Sequence, residues 1–148
     1  MPNLWRWIRF KAIPAFTALG LTRGTVTLEV IGRRSGKPIR LSVTQVRLGG
    51  KRYLVSLGGE SQWVQNVRAA GGMAAVVSGS RQVVELVEIP VAERAPVLFA
   101  YVNQRAFTHS GAQSARHFFG FATQPNLDDM ARVAERYPVF EIRQLENW

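Results

Sequence analysis

The stretch "IRLSVTQVRLGGKRYLVSL", residues 39–57, constrains the fold more than any other. Ile39, Leu41 and Val43 alternate with Arg40, Ser42 and Thr44. A period of two sends the first set to one face of a strand and the second to the other. Gly49-Gly50 follows, and glycine accepts the positive φ that a tight hairpin turn demands. "KRYLVSL" (51–57) then returns alongside. A hairpin this long points to an antiparallel sheet.

The flanking segments supply partners for it. "TVTLEVIG" (25–32) is β-branched and partly alternating, and reads as a strand. Gly58-Gly59 ends the returning strand. "SQWVQNVRAAGG" (61–72) reads as a short helix, with Ser61 as N-cap, Trp63 and Val67 four apart, and Gly71-Gly72 as its stop. "MAAVVSG" (73–79) and "RQVVELVEI" (81–89) form a second hairpin around Gly79-Ser80. From Pro90 the apolar period turns helical through Val91, Ala95, Leu98 and Val102, and Pro96 is expected to mark the start of the regular helix. "LDDMARVAERY" (127–137) opens with acids, which suit a helix N-terminus. "PVFEIRQL" (138–145) closes as a strand. Antiparallel strands with helices set aside predict an α+β fold, a small β-barrel with helices packed on it. The length, 148 residues, fits one domain. We divide it into a basic aromatic N-terminal segment, 1–24, and a folded domain, 25–148.

Charge narrows the partner. The net charge is +9, and residues 1–40 hold eight cations against Glu29 alone. A basic end predicts an anionic partner: a phosphate, a nucleic acid, a polyacid or a membrane. The cations are not interleaved with aromatics along the strands, and no nucleic-acid motif is present, which argues against nucleic acid. In residues 1–13, Trp5, Trp7 and Phe10 stand among Arg6, Arg9 and Lys11. That mixture suits the surface of an anionic membrane; it equally suits a short helix packed on the domain. No apolar run approaches the ~20 residues that span a bilayer. The expectation is a cytoplasmic protein with peripheral contact at the inner face of the membrane.

The chain has no cysteine, and His109 and His117 lack metal-ligand spacing, so no metal site is expected. There is no G-x-S-x-G, H-E-x-x-H, P-loop or G-x-G-x-x-G. An enzyme built this way would rely on a bound cofactor for its reactive atom. "GRRSGKPIRL" (32–41) is the place to seat one. Arg33 and Arg34 carry planar forks that match phosphate, Lys37 adds a point charge, and Ser35 offers a hydroxyl. A solvated hairpin tip would look the same. "VSLGGESQWVQN" (55–66) adds a glycine corner and a helix N-terminus facing the same region, with Trp63 and Asn66 as wall.

"VTLEVIGRRSGKP", "GGKRYLVSLGGESQWVQNVRAAG" and "YPVFEIR" together resemble the deazaflavin-dependent nitroreductase family of actinobacteria, from about Thr25 to Arg143. The resemblance implies a split β-barrel of the flavin-reductase type that binds coenzyme F420, a deazaflavin with a phosphate and a polyglutamate tail; FMN is the alternative. It implies a cofactor site of Gly32, Arg33, Arg34, Ser35, Lys37, Pro38, Arg40, Ser56, Leu57, Gly58, Trp63 and Asn66. The reaction implied is hydride transfer from reduced F420 to a small-molecule acceptor, a quinone, enone or nitro compound. Tyr101, Phe118, Phe119 and Phe121 are candidates for the acceptor's wall, and Ser56 or solvent for the proton donor. Barrels of this class often form homodimers. A carrier of F420, flavin or lipid without catalysis is the other reading.

Overall fold

The computed structural model describes residues 24–105, 119 and 125–145. The expectations for residues 1–13, Phe118 and Phe121 lie outside them. Six strands are present among the described residues: β1 (Thr25–Ile31), β2 (Pro38–Leu48), β3 (Lys51–Val55), β4 (Met73–Ser78), β5 (Ser80–Glu88) and β6 (Val139–Gln144). They close into a barrel in the order β1-β2-β3-β6-β5-β4, with β4 back on β1 and every pairing antiparallel. Closure leaves no edge strand exposed. Among the described residues three helices accompany it: α1 (Gln62–Ala69), α2 (Val91–Arg105) and α3 (Leu127–Val133), the last continued by a 3₁₀ turn, Ala134–Arg136.

Register explains the core. Val26 opposes Val43, Leu28 opposes both Leu41 and Val76, Leu86 opposes Ile142, and Leu54 opposes Phe140. These pairs fill one apolar cluster inside the barrel. The next pair along, Val55 and Val139, belongs instead to a second cluster with Leu98 and Val102 of α2 and Met130 of α3. A shift of one residue changes the face, so β3 and β6 serve both cores. Because β1 and β3 run toward one end of the barrel, the 32–37 turn and α1 sit at that same end. There α1 contributes Trp63, Val64 and Val67 to the inner cluster.

The structure adjusts three expectations. β3 stops at Val55, so Ser56 and Leu57 belong to the following turn. α2 starts at Val91, well before Pro96. The proline forfeits only the bond to the Ala92 carbonyl, while Ala95, Val97 and Leu98 around it are buried. The last helix is shorter than predicted and ends in the 3₁₀ turn. Its start carries a full capping box, in which the Asp129 amide donates to Asn126 Oδ1 at 2.8 Å and the Asn126 amide donates to Asp129 Oδ2 at 2.9 Å.

Candidate functional site

The 32–37 turn is held by its own backbone. Gly32 N–H donates to the Lys37 carbonyl at 2.9 Å, and Gly36 N–H donates to the Gly32 carbonyl at 2.9 Å. Gly36 has φ 69°, which glycine adopts freely. The Lys37 amide donates to Ser35 Oγ at 3.2 Å. A Cβ on Gly32 would stand 2.6 Å from Ser35 Oγ, so the turn packs tightly only around glycine. Arg34, Ser35, Gly36 and Lys37 are exposed, and Arg33 is half-buried.

Arg33 is tied to α1. Its backbone N–H and its Nη1 both donate to Asn66 Oδ1, at 3.1 and 2.8 Å. Its Nη2 donates to Gln62 Oε1 at 2.7 Å and Gln65 Oε1 at 3.2 Å. Every one of these acceptors is a neutral amide. Among the described residues, none of Arg33, Arg34 and Lys37 pairs with a carboxylate. No described carboxylate therefore offsets the positive charge of the turn.

A cavity of about 280 Å³ opens between this turn, residues 31–36, and Ala69 and Ala70 at the C-terminal end of α1. The helix N-terminus at Ser61 does not line it, contrary to the sequence expectation. A second, more open cavity of about 340 Å³ lies on the other side of that helix end and includes Glu85 and Glu88. Its carboxylates make it the poorer seat for an anion; the first cavity carries cations alone.

On that second side Arg68 ties the helix down. It donates to Glu88 from Nε at 2.8 Å and from Nη2 at 2.7 Å, and it also pairs with Glu60. These bonds, Glu88 first, raise the Arg68 pKa, and the Arg68 bond holds the Glu60 carboxyl below its usual range. Arg94, 7% exposed, joins the same Glu88 and also donates to the Ala134 carbonyl at 3.2 Å.

The remaining sequence candidates are dispersed. Pro38 opens β2 opposite Ile31. Arg40 donates to Glu29. Ser56 is 1% exposed; its hydroxyl donates to the Gly59 carbonyl at 2.6 Å and lies 3.1 Å from Ser61 Oγ. Leu57 packs against the outer cluster, and Gly58 is exposed. Trp63 is buried with its ring 5.6 Å from that of Phe140. Asn66 is buried beneath Arg33. Tyr101 and Phe119 meet edge-on at 6.1 Å in the outer cluster, and Phe119 meets Tyr137 in the same way at 5.0 Å. The structure thus gathers Gly32, Arg33, Arg34 and Ser35 around one cavity, while Trp63, Ser56, Tyr101 and Phe119 are packed elsewhere.

Sequence reasoning missed Gln62, Gln65, Ala69 and Ala70. The first two had a signal. Gln62, Gln65 and Asn66 are spaced i, i+3, i+4, which puts three amides on one face of a helix.

A family model described as F420H(2)-dependent quinone reductase matches residues 14–116, more than half of the chain. Comparison with curated proteins gives no significant match. Among solved structures, an F420-H2 dependent reductase (FDR-A) superposes with TM-score 0.52 at 20% identity, covering 82% of this chain and 95% of that one. A conserved hypothetical protein from Mycobacterium tuberculosis superposes with TM-score 0.50 at 16% identity, covering 90% of this chain and 81% of that one. A protein described as a domain-swapped dimer has TM-score 0.50 at 18% identity, covering 82% and 81%. At these identities the superpositions establish the barrel fold.

Proposed function

Because the chain belongs to the F420H(2)-dependent quinone reductase family, we propose that it is an F420-dependent oxidoreductase whose acceptor is a quinone, an enone or a nitro compound. One observation carries the placement of the cofactor: residues 31–36 line a cavity whose two cations, Arg33 and Arg34, pair with no described carboxylate, and exposed Lys37 follows on the same turn. Those residues fit an anionic cofactor. When bound, reduced F420 supplies the hydride.

The chain's own residues bind and orient. Arg34 and Lys37 meet the anionic part of the cofactor. Gly32 and Gly36 let the turn fold tightly enough to present them. The Ser56 hydroxyl is engaged by the Gly59 carbonyl, which favours solvent over Ser56 as the proton donor. Of the aromatics assigned to the acceptor, Tyr101 and Phe119 are buried in the second apolar cluster, so Phe118 and Phe121 are the two to substitute first.

The reading includes a cytoplasmic location, a homodimer, and reversible contact with an anionic membrane through residues 1–13. No helix among the described residues is long and apolar enough to cross a membrane. The N-terminal segment joins β1 at the barrel end that bears the β2–β3 hairpin. That hairpin carries exposed Arg47 and Lys51 and an exposed Leu48, which supports contact with anionic lipid.

Tryptophan fluorescence during parallel titrations with F420 and FMN tests the cofactor. F420 should bind more tightly, and the protein should then oxidise reduced F420 only when a quinone, enone or nitro acceptor is present. Equal affinity for FMN would overturn the cofactor assignment. Tight F420 binding without turnover would point to the carrier.

A further inference from the structure

We infer that Arg33 is a positioning residue: with Asn66, Gln62 and Gln65 it forms an amide clamp that fixes the 32–37 turn to α1 and presents Arg34 to the anion. This rests on reading the cavity as the seat of the anionic cofactor. The sequence gives Arg33 and Arg34 the same chemistry, but the structure separates them. Arg34 is exposed at the cavity. Arg33 has a half-buried side chain whose Nη1 and Nη2 each have an amide acceptor.

The Asn66 carbonyl oxygen is fully engaged from the other side. Its Oδ1 accepts two bonds, from the Arg33 backbone and from Nη1, which uses both lone pairs of that oxygen. It is 4% exposed, so it serves Arg33 and not solvent. The choice of amides over carboxylates has a consequence. A carboxylate would hold the guanidinium as firmly but cancel its charge next to the cavity. An amide holds the fork and leaves the charge in place. Lysine could not substitute, because a single ammonium cannot reach acceptors spread along one helix face as the planar fork does. The clamp also accounts for the pairing of two distant motifs, the basic turn and the helix 33 residues on.

The test compares three variants by F420 titration over a range of salt, with melting temperature as the folding control. Arg34→Ala should lose roughly tenfold or more in affinity, the worth of one charge-assisted contact. Its binding should also become less salt-sensitive, because one cation is gone. Arg33→Lys and Asn66→Leu should each lose a similar factor while the salt dependence stays that of the wild type. Combining the two should add little, because both break the same clamp. Should Asn66→Leu fail to fold, Gln62→Ala with Gln65→Ala, on the exposed side of the clamp, takes its place. The inference is overturned if Arg33→Lys binds F420 like the wild type, or if Asn66→Leu lowers the melting temperature alone. A wild type that ignores F420 overturns the cofactor reading, and this inference with it.

Discussion

Arg40 donates from Nε to Glu29 Oε1 at 3.0 Å, and the two residues are direct partners across the β1–β2 ladder. Arg81 donates to the other oxygen, also at 3.0 Å. The Glu29 side chain is wholly buried, and a buried carboxylate needs such partners. Strand register, and not residue type, therefore gives Arg40 a different task from Arg34. Replacing Arg40 with leucine should lower stability by about 1–3 kcal/mol, because Glu29 loses one of its cations. F420 affinity should fall less than it does in Arg34→Ala. Thermal melting and titration together check this; the opposite ranking would place Arg40 at the ligand.

Ser56 is the second residue whose environment decides its role. Its hydroxyl closes the turn onto the Gly59 carbonyl, and the Gly59 amide returns to the Ser56 carbonyl at 3.2 Å. Ser56→Ala should destabilise the protein by about 1 kcal/mol or somewhat more, leaving a carbonyl without its donor. The rate of quinone reduction by folded protein should change little. A large fall in kcat with unchanged melting temperature would restore Ser56 as proton donor.

What the sequence disclosed and what it hid divide along a physical line. Local signals were legible. Gly49 and Gly50 adopt φ 60° and 76°, as a hairpin turn of two glycines requires. Ser61 stands at the N-cap position of α1, although its hydroxyl makes no capping bond and meets Ser56 Oγ instead. The cationic turn at residues 32–37 was legible as charge, and it does line a cavity. Long-range partners were not. Trp63 reads equally as pocket wall or core until Phe140, far along the chain, is seen beside it. Pro96 reads as a helix start until the burial of Ala95 and Val97 shows that packing outweighs one lost hydrogen bond. Arg33 and Arg34 are neighbours of identical type, and only the helix laid against the turn distinguishes them.

Acid should weaken the tie between Glu60 and Arg68 of α1. The Glu60 carboxyl titrates below its usual range because Arg68 donates to it. A carboxylate whose folded pKa is depressed adds stability above its unfolded pKa, ordinarily about 4.3, and loses it as pH falls through the folded value. The contribution is small, within the ~0.2–1 kcal/mol of exposed ion pairs, since Glu60 lies at the surface. The melting temperature of Glu60→Gln should therefore sit slightly below that of the wild type near neutral pH, and the two should converge in acid. A gap that widens in acid would contradict the sign.

The closest backbone approach in the site region is at Gly72, and it should tolerate substitution least. Gly72 has φ 86°, a conformation that costs a side-chain-bearing residue about 1–3 kcal/mol. Its carbonyl accepts from the Leu86 amide at 2.7 Å, which brings the end of α1 onto β5. A Cβ there would stand 2.5 Å from the Leu86 carbonyl oxygen, and that oxygen is backbone, so it cannot swing aside. Strain and clash add, and Gly72→Ala should lower stability by about 2 kcal/mol or more. Gly71 makes the contrast. It also has positive φ, 64°, but a Cβ there meets nothing within 4 Å. Gly71→Ala should suffer the backbone strain alone and melt at a higher temperature than Gly72→Ala. Because the cavity beside Ala69 and Ala70 lies just before this junction, Gly72→Ala should weaken F420 binding as well. Equal melting temperatures for the two variants would mean that β5 yields to the added methyl, and that the contact is softer than its distances imply.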